Sequence, residues 1–170
     1  MSPRFERQIL VAGVGNAWML DDGFGPVVAQ RLEAREMPPG VRVMNARSGA
    51  SDLAYEIRRG YDALVLIDIS RQGGEPGTLD VLEPDLDEIA PPIEDGDVVN
   101  PGGMDPQTVL RFVRAVGGWS GKVVIVACEP TAVEDLDVGL SPALVEAVER
   151  AIGLVEETVA ELRTDAAYKA

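Results

Sequence analysis

Two adjacent aspartates, Asp21 and Asp22, follow an apolar run and a Gly-Val-Gly turn in "LVAGVGNAWMLDDGFGPVVAQRLE", residues 10–33. One carboxylate is enough to cap a helix and meet the positive end of its dipole. The second is available for chemistry. A third aspartate, Asp68, stands inside the apolar "VLIDIS", where an unpaired charge would be strongly unfavourable. It needs a proton, a cationic partner or a metal ion; the alternative is a carboxylate that accepts backbone N–H bonds from the first loop and fixes it. If the runs carrying these residues are parallel strands, then Asp22, Asp68 and Asn45, which closes "VRVMN", reach one carboxyl edge, where open α/β sheets bind ligands.

What the chain lacks narrows that chemistry. It has no histidine, which removes every Ser-His and Cys-His mechanism. Its single cysteine, Cys128, ends "KVVIVAC", so CxxC metal sites and disulfides within the chain are excluded, and the residue reads as a core thiol. The glycine turn is Gly-x-Gly-x-x-Trp, short of the third glycine of a dinucleotide fingerprint. A phosphate-binding module built on that turn would also face repulsion from Asp21 and Asp22. With 15 basic and 29 acidic residues the net charge is −14, which opposes nucleic acid and anionic membrane surfaces.

The elements that must position these residues alternate. Gln8–Val14, Val41–Asn45, Ala63–Ile69 and Lys122–Cys128 are β-rich apolar runs; the first, third and fourth are continuous, as in parallel strands covered on both faces. "TLDVLEP", Thr78–Pro84, alternates and fits a more exposed strand. Helical spacing predicts helices from Gly23 to about Met37 with Asp22 as N-cap, over Ser51–Gly60 with Ser51 as cap, over Asp105–Gly118 with Asp105 as cap, and over Ser141–Arg163 with Ser141 as cap. Alternation of β and α predicts a doubly wound sheet. Arg71–Gly77 and Pro84–Met104 read as long loops of the kind that carry function. Residues 1–170 are expected to form one domain, long enough to bury roughly two thirds of its unfolded surface. No apolar run approaches the ~20 residues that span a bilayer. The first residues lack a signal-peptide pattern, so a cytoplasmic location is expected.

Several segments match one pattern nearly end to end: "ILVAGVGNAWMLDDGFGPVVAQRLE", "DALVLIDIS" followed by "GGEPGTL", "GMDPQTVL", and "ACEP" with "GLSP" before the last helix. In these the chain resembles the hydrogenase maturation endopeptidases, which remove the C-terminal extension of nickel-iron hydrogenase large subunits after nickel insertion. The resemblance implies a three-layer α/β fold, phosphorylase/hydrolase-like, with a mostly parallel twisted sheet of about five strands. It also implies a divalent metal site that reads the nickel of the substrate, the partner being a hydrogenase large-subunit precursor or a similar metalloprotein. The family's first acidic ligand falls on Asp22 and the next on Asp68, which become the expected catalytic and metal-binding residues.

Two positions depart from the family pattern. The third ligand, a histidine, falls on Gly102 of "NPGGMDP", and Asn45 replaces an aspartate after the second strand. Two carboxylates without a nitrogen ligand favour oxygen-loving ions and hold nickel or zinc weakly. Asp105 is read as a helix cap, with ligation in place of the histidine as the alternative. Two functions remain open: an endopeptidase that uses the substrate's nickel, and an inactive relative that binds a metalloprotein precursor as a checkpoint or chaperone.

Overall fold

The β-rich runs become five strands, β1 (Ile9–Val14), β2 (Val41–Ala46), β3 (Ala63–Ile69), β4 (Leu79–Leu82) and β5 (Lys122–Cys128), in one sheet of order β2-β1-β3-β5-β4. Between them lie α1 (Phe24–Glu33), α2 (Ala50–Ile57), α3 (Leu86–Ile89), α4 (Pro106–Gly117) and α5 (Pro142–Thr164). This computed structural model describes residues 7–15, 20–46, 50–91, 94–96, 106–117, 121–131 and 139–164.

The expected parallel arrangement holds. β1 pairs in parallel with β2 and β3, and β3 with β5. The alternating run becomes the antiparallel edge strand β4 beside β5, with Val81 and Leu82 exposed. Successive residues of a strand face opposite sides, and the core divides accordingly. Ile9, Val11, Val65, Ile67, Val124 and Val126 pack with α1 and α5 through Phe24, Val28, Leu32, Leu144 and Ile152. On the other side Leu10, Ala12, Leu64, Leu66 and Ile125 pack with α2 and α4 through Leu53, Ile57, Leu110 and Val113.

Two glycines let α1 seat itself on the strand ends. A Cβ on Gly13 would meet the Gly25 carbonyl oxygen at 2.2 Å, and one on Gly25 would meet the carbonyl oxygens of Val14 and Ile67, each at 2.3 Å. No side chain fits there. The Gly-Val-Gly turn therefore owes Gly13 to helix packing, while Gly15, at φ 141°, takes a backbone angle that glycine adopts without strain.

Element ends differ from the sequence reading in several places; α2 runs Ala50–Ile57, so Ser51, expected as its cap, lies inside the helix, and Gly60 lies three residues past its end. α1 stops at Glu33 rather than near Met37, because the next positions on its buried stripe, Arg35 and Glu36, are exposed polar residues with nothing to bury. Its N-cap is Gly23 and not Asp22, which lies in a 3-10 turn, Leu20–Gly23. The Pro84–Met104 loop contains α3, capped by Asp85, whose carboxylate accepts from the Asp87 N–H at 2.9 Å. Four residues are too few to show periodicity. α3 is held by Arg114 of α4, which donates to the Leu86 carbonyl (3.0 Å), already accepting the Ala90 N–H, and to the Ala90 carbonyl past the helix end (2.8 Å).

Candidate active site

Asp68 is the penultimate residue of β3, in register with Ala127 of β5. It is 3% exposed, and its Oδ1 accepts the N–H of Ile69 at 2.7 Å. The row before it holds Ile67, Gly13 and Asn45. Adjacent rows face opposite sides, so Asp68 belongs to the face that α2 and α4 cover, and Asn45 to the face that α1 covers. The Asn45 amide donates to the carbonyl of Pro26 in α1 at 3.4 Å. The carboxyl ends of β1, β2 and β3 thus share one edge as expected, while at that edge Asn45 and Asp68 occupy opposite faces. An amide can donate this bond, whereas an ionised aspartate cannot.

The turn that carries Asp22 lies at the same edge. The turn Leu20–Gly23 packs against β3, and Gly25, whose backbone lies against the Ile67 carbonyl, fixes the distance between that turn and the residue preceding Asp68. Gly102 and Asp105 lie outside the described residues. The chain after them enters α4 at Pro106, on the face to which Asp68 belongs. Among the described residues, no group of three His, Cys, Asp or Glu side chains gathers as a metal site.

Asp21, next to the expected ligand, has a separate task. It is buried, and its carboxylate accepts the Thr131 N–H (2.7 Å) and hydroxyl (2.6 Å) on Oδ2 and the Ser141 N–H (2.9 Å) on Oδ1. Burial pushes its carboxyl up, but these bonds outweigh that, so it titrates below its ordinary value. Ser141 holds the cap position of α5 as expected: its carbonyl accepts the N–H groups of Leu144 and Val145, and its own N–H goes to Asp21.

Glu129, just past β5, was missed by the sequence reading. Its buried carboxylate accepts the N–H groups of Gln72 (2.7 Å) and Gly73 (3.0 Å), and its backbone exchanges bonds with Gly77 and Thr78. The available signal was a charged residue directly after an apolar strand, in "ACEP". Cys128 is a core thiol as expected; burial pushes it up to about 11, so it stays protonated and is no nucleophile at neutral pH.

Comparison with known proteins adds to this geometry. The family model described as hydrogenase maturation protease matches residues 26–158. The chain is similar to the coenzyme F420 hydrogenase subunit delta of Methanothermobacter thermautotrophicus, 27% identical over 164 residues that cover 91% of this chain and 96% of that protein. It is also similar to a putative hydrogenase maturation protease of Methanocaldococcus jannaschii, 28% identical over 155 residues, 88% of this chain and 95% of the other. Among solved structures it resembles the hydrogenase maturating endopeptidase HybD from E. coli, with a TM-score of 0.72 and 22% identity over 91% of this chain and 93% of that one. That last likeness bears on the fold alone.

Proposed function

Because the chain belongs to the hydrogenase maturation protease family, we propose that it is an endopeptidase that removes the C-terminal extension of a nickel-iron hydrogenase large-subunit precursor after nickel insertion. The observation that carries this reading is the pairing, at one sheet edge, of the buried Asp68 with the turn that bears Asp22, held together by the bare backbone of Gly25. Asp22 and Asp68 would receive the nickel that the precursor brings. Bound there, the ion supplies a Lewis acid for the scissile carbonyl or for an attacking water.

The chain's own part is to bind and orient. Two carboxylates without imidazole make a weak resident site for nickel or zinc, which suits an ion that arrives with the substrate and leaves with it. The Arg71–Gly77 loop, exposed from Arg71 to Pro76 and anchored through Glu129, offers backbone groups to an extended tail. No side-chain nucleophile is needed.

The test is cleavage of nickel-loaded against nickel-free precursor. Wild type should shorten only the loaded form, and Asp22→Ala or Asp68→Ala should abolish shortening while the circular dichroism spectrum stays native. Asp68→Asn separates charge from shape: a structural Asp68 tolerates it better than a ligand does. One observation favours a second reading, a precursor-binding checkpoint without peptidase activity: the family's histidine position is Gly102 in a chain with no histidine. Precursor bound but left whole, under conditions where its cognate peptidase cleaves it, would establish the checkpoint.

A further inference from the structure

The three residues after β5 touch both loops that border the proposed site. Glu129 accepts the Gln72 and Gly73 N–H groups of the loop after β3. Thr131 donates twice to Asp21, at the start of the turn that carries Asp22. We propose that Glu129–Thr131 is a positioning hub, in which Glu129 sets the loop that receives the precursor's tail and Thr131, acting through Asp21, sets the turn that presents Asp22. The inference rests on the function proposed above; it couples the Glu129 anchor of that reading to Thr131 and Asp21, to which that reading gives no role.

Stability alone does not call for this arrangement. Gln72 and Gly73 lie in an exposed stretch, where water can satisfy their N–H groups. Burying a carboxylate to do so carries a desolvation cost that an apolar side chain avoids. The Asp21 contacts likewise join segments 110 and 120 residues apart in sequence, so they fix the relation of one loop to another rather than the shape of either. Both contacts start from one short segment at the sheet edge, with Pro130 between them buried. The two arms act on different things, since a tail-binding loop governs substrate affinity and a ligand-bearing turn governs the chemical step.

The experiment compares wild type, Glu129→Gln, Thr131→Val and Thr131→Ser in two measurements: kinetics on nickel-loaded precursor, and amide hydrogen exchange on the free proteins. Glu129→Gln should raise KM about tenfold with kcat within about twofold, and should speed exchange at Gln72 and Gly73 only. Thr131→Val should lower kcat about tenfold with KM nearly unchanged, the scale seen when a partner of a metal ligand is lost. It should speed exchange at residues 20–23 and at Ser141. Thr131→Ser keeps the hydroxyl and should restore kcat, which a role for the methyl group would not. Both variants moving the same kinetic parameter, or either loosening both loops, would overturn the hub. If wild type leaves the loaded precursor whole, the cleavage reading falls and exchange decides alone: opening confined to the loop each residue contacts upholds the hub, and any other pattern rejects it.

Discussion

The sheet presents two faces built from alternate residues of the same strands, and they carry different kinds of polar residue. On the side of α1 and α5, Asn45 ties β2 to α1, and Asp21 joins the first turn to the start of α5. On the side of α2 and α4 stands Asp68, buried at the end of β3, on the face that the chain following Gly102 enters as α4. The first face holds elements together; the second is where we place the chemistry. A buried carboxylate therefore does not reveal its task by burial alone. Asp21 and Asp68 are both under 7% exposed, and what separates them is place: Asp21 bonds to segments 110 and 120 residues away, while Asp68 stands at the end of β3 on the opposite face of the sheet.

The sharpest way to break this division is Asp68→Ala. Loss of a group that receives the metal should cut precursor cleavage by roughly 10²–10³-fold, a few kcal/mol of barrier, with the thermal midpoint little changed. A variant that unfolds instead would make Asp68 a structural residue like Asp21. Next comes Gly25→Ala. Its Cβ would collide with two carbonyl oxygens at 2.3 Å, so urea titration should show a loss of about 1–3 kcal/mol. The displaced turn should also lower activity in the fraction that remains folded, and full activity there would deny that Gly25 sets the distance between Asp22 and Asp68.

Acid sharpens the structural side of the comparison. The Asp21 carboxyl titrates below 3.8 in the folded protein, so the stability it contributes is complete above its unfolded value and is lost as pH falls through the folded one. Urea midpoints taken from pH 7 downward should drop more steeply below about pH 4 for wild type than for Asp21→Asn, which has no charge to lose. Parallel curves would remove Asp21 from the account. The smallest effect belongs to Gly153, in α5, where an added Cβ meets nothing within 4 Å. Gly153→Ala should stabilise by about 0.5–1 kcal/mol through helix propensity and leave cleavage unchanged.

Most of the fold was legible because its signals are local. Continuous apolar runs at Ile9–Val14, Ala63–Ile69 and Lys122–Cys128 mark strands covered on both faces, and the alternation of Leu79–Leu82 marks an edge. Pro142 opens α5 as its position after Ser141 predicts. α3 was not legible, since four residues cannot show a period and the arginine that holds them is 24 to 28 residues away. The site divides in the same manner. The placement of Asp68 at the end of β3, and of Asp22 in the connection that follows β1, follows from the order of runs in the sequence together with the right-handed crossover.

Which face each polar residue occupies was not contained in any run by itself. It depends on the register of β1 against β2 and β3, which tertiary packing sets, and that register parts Asn45 from Asp68. The partners of Asp21 and Glu129 were hidden for a related reason. A hydrogen bond spanning 56 or 110 residues leaves no periodicity and no local motif; it exists only once the strands have brought the loop ends together. The sequence by itself determined the strands, most helices and the presence of carboxylates at their ends. Only the folded chain decided which carboxylate bridges distant segments and which face of the sheet each occupies, because that choice is made by contacts between segments that no short-range preference connects.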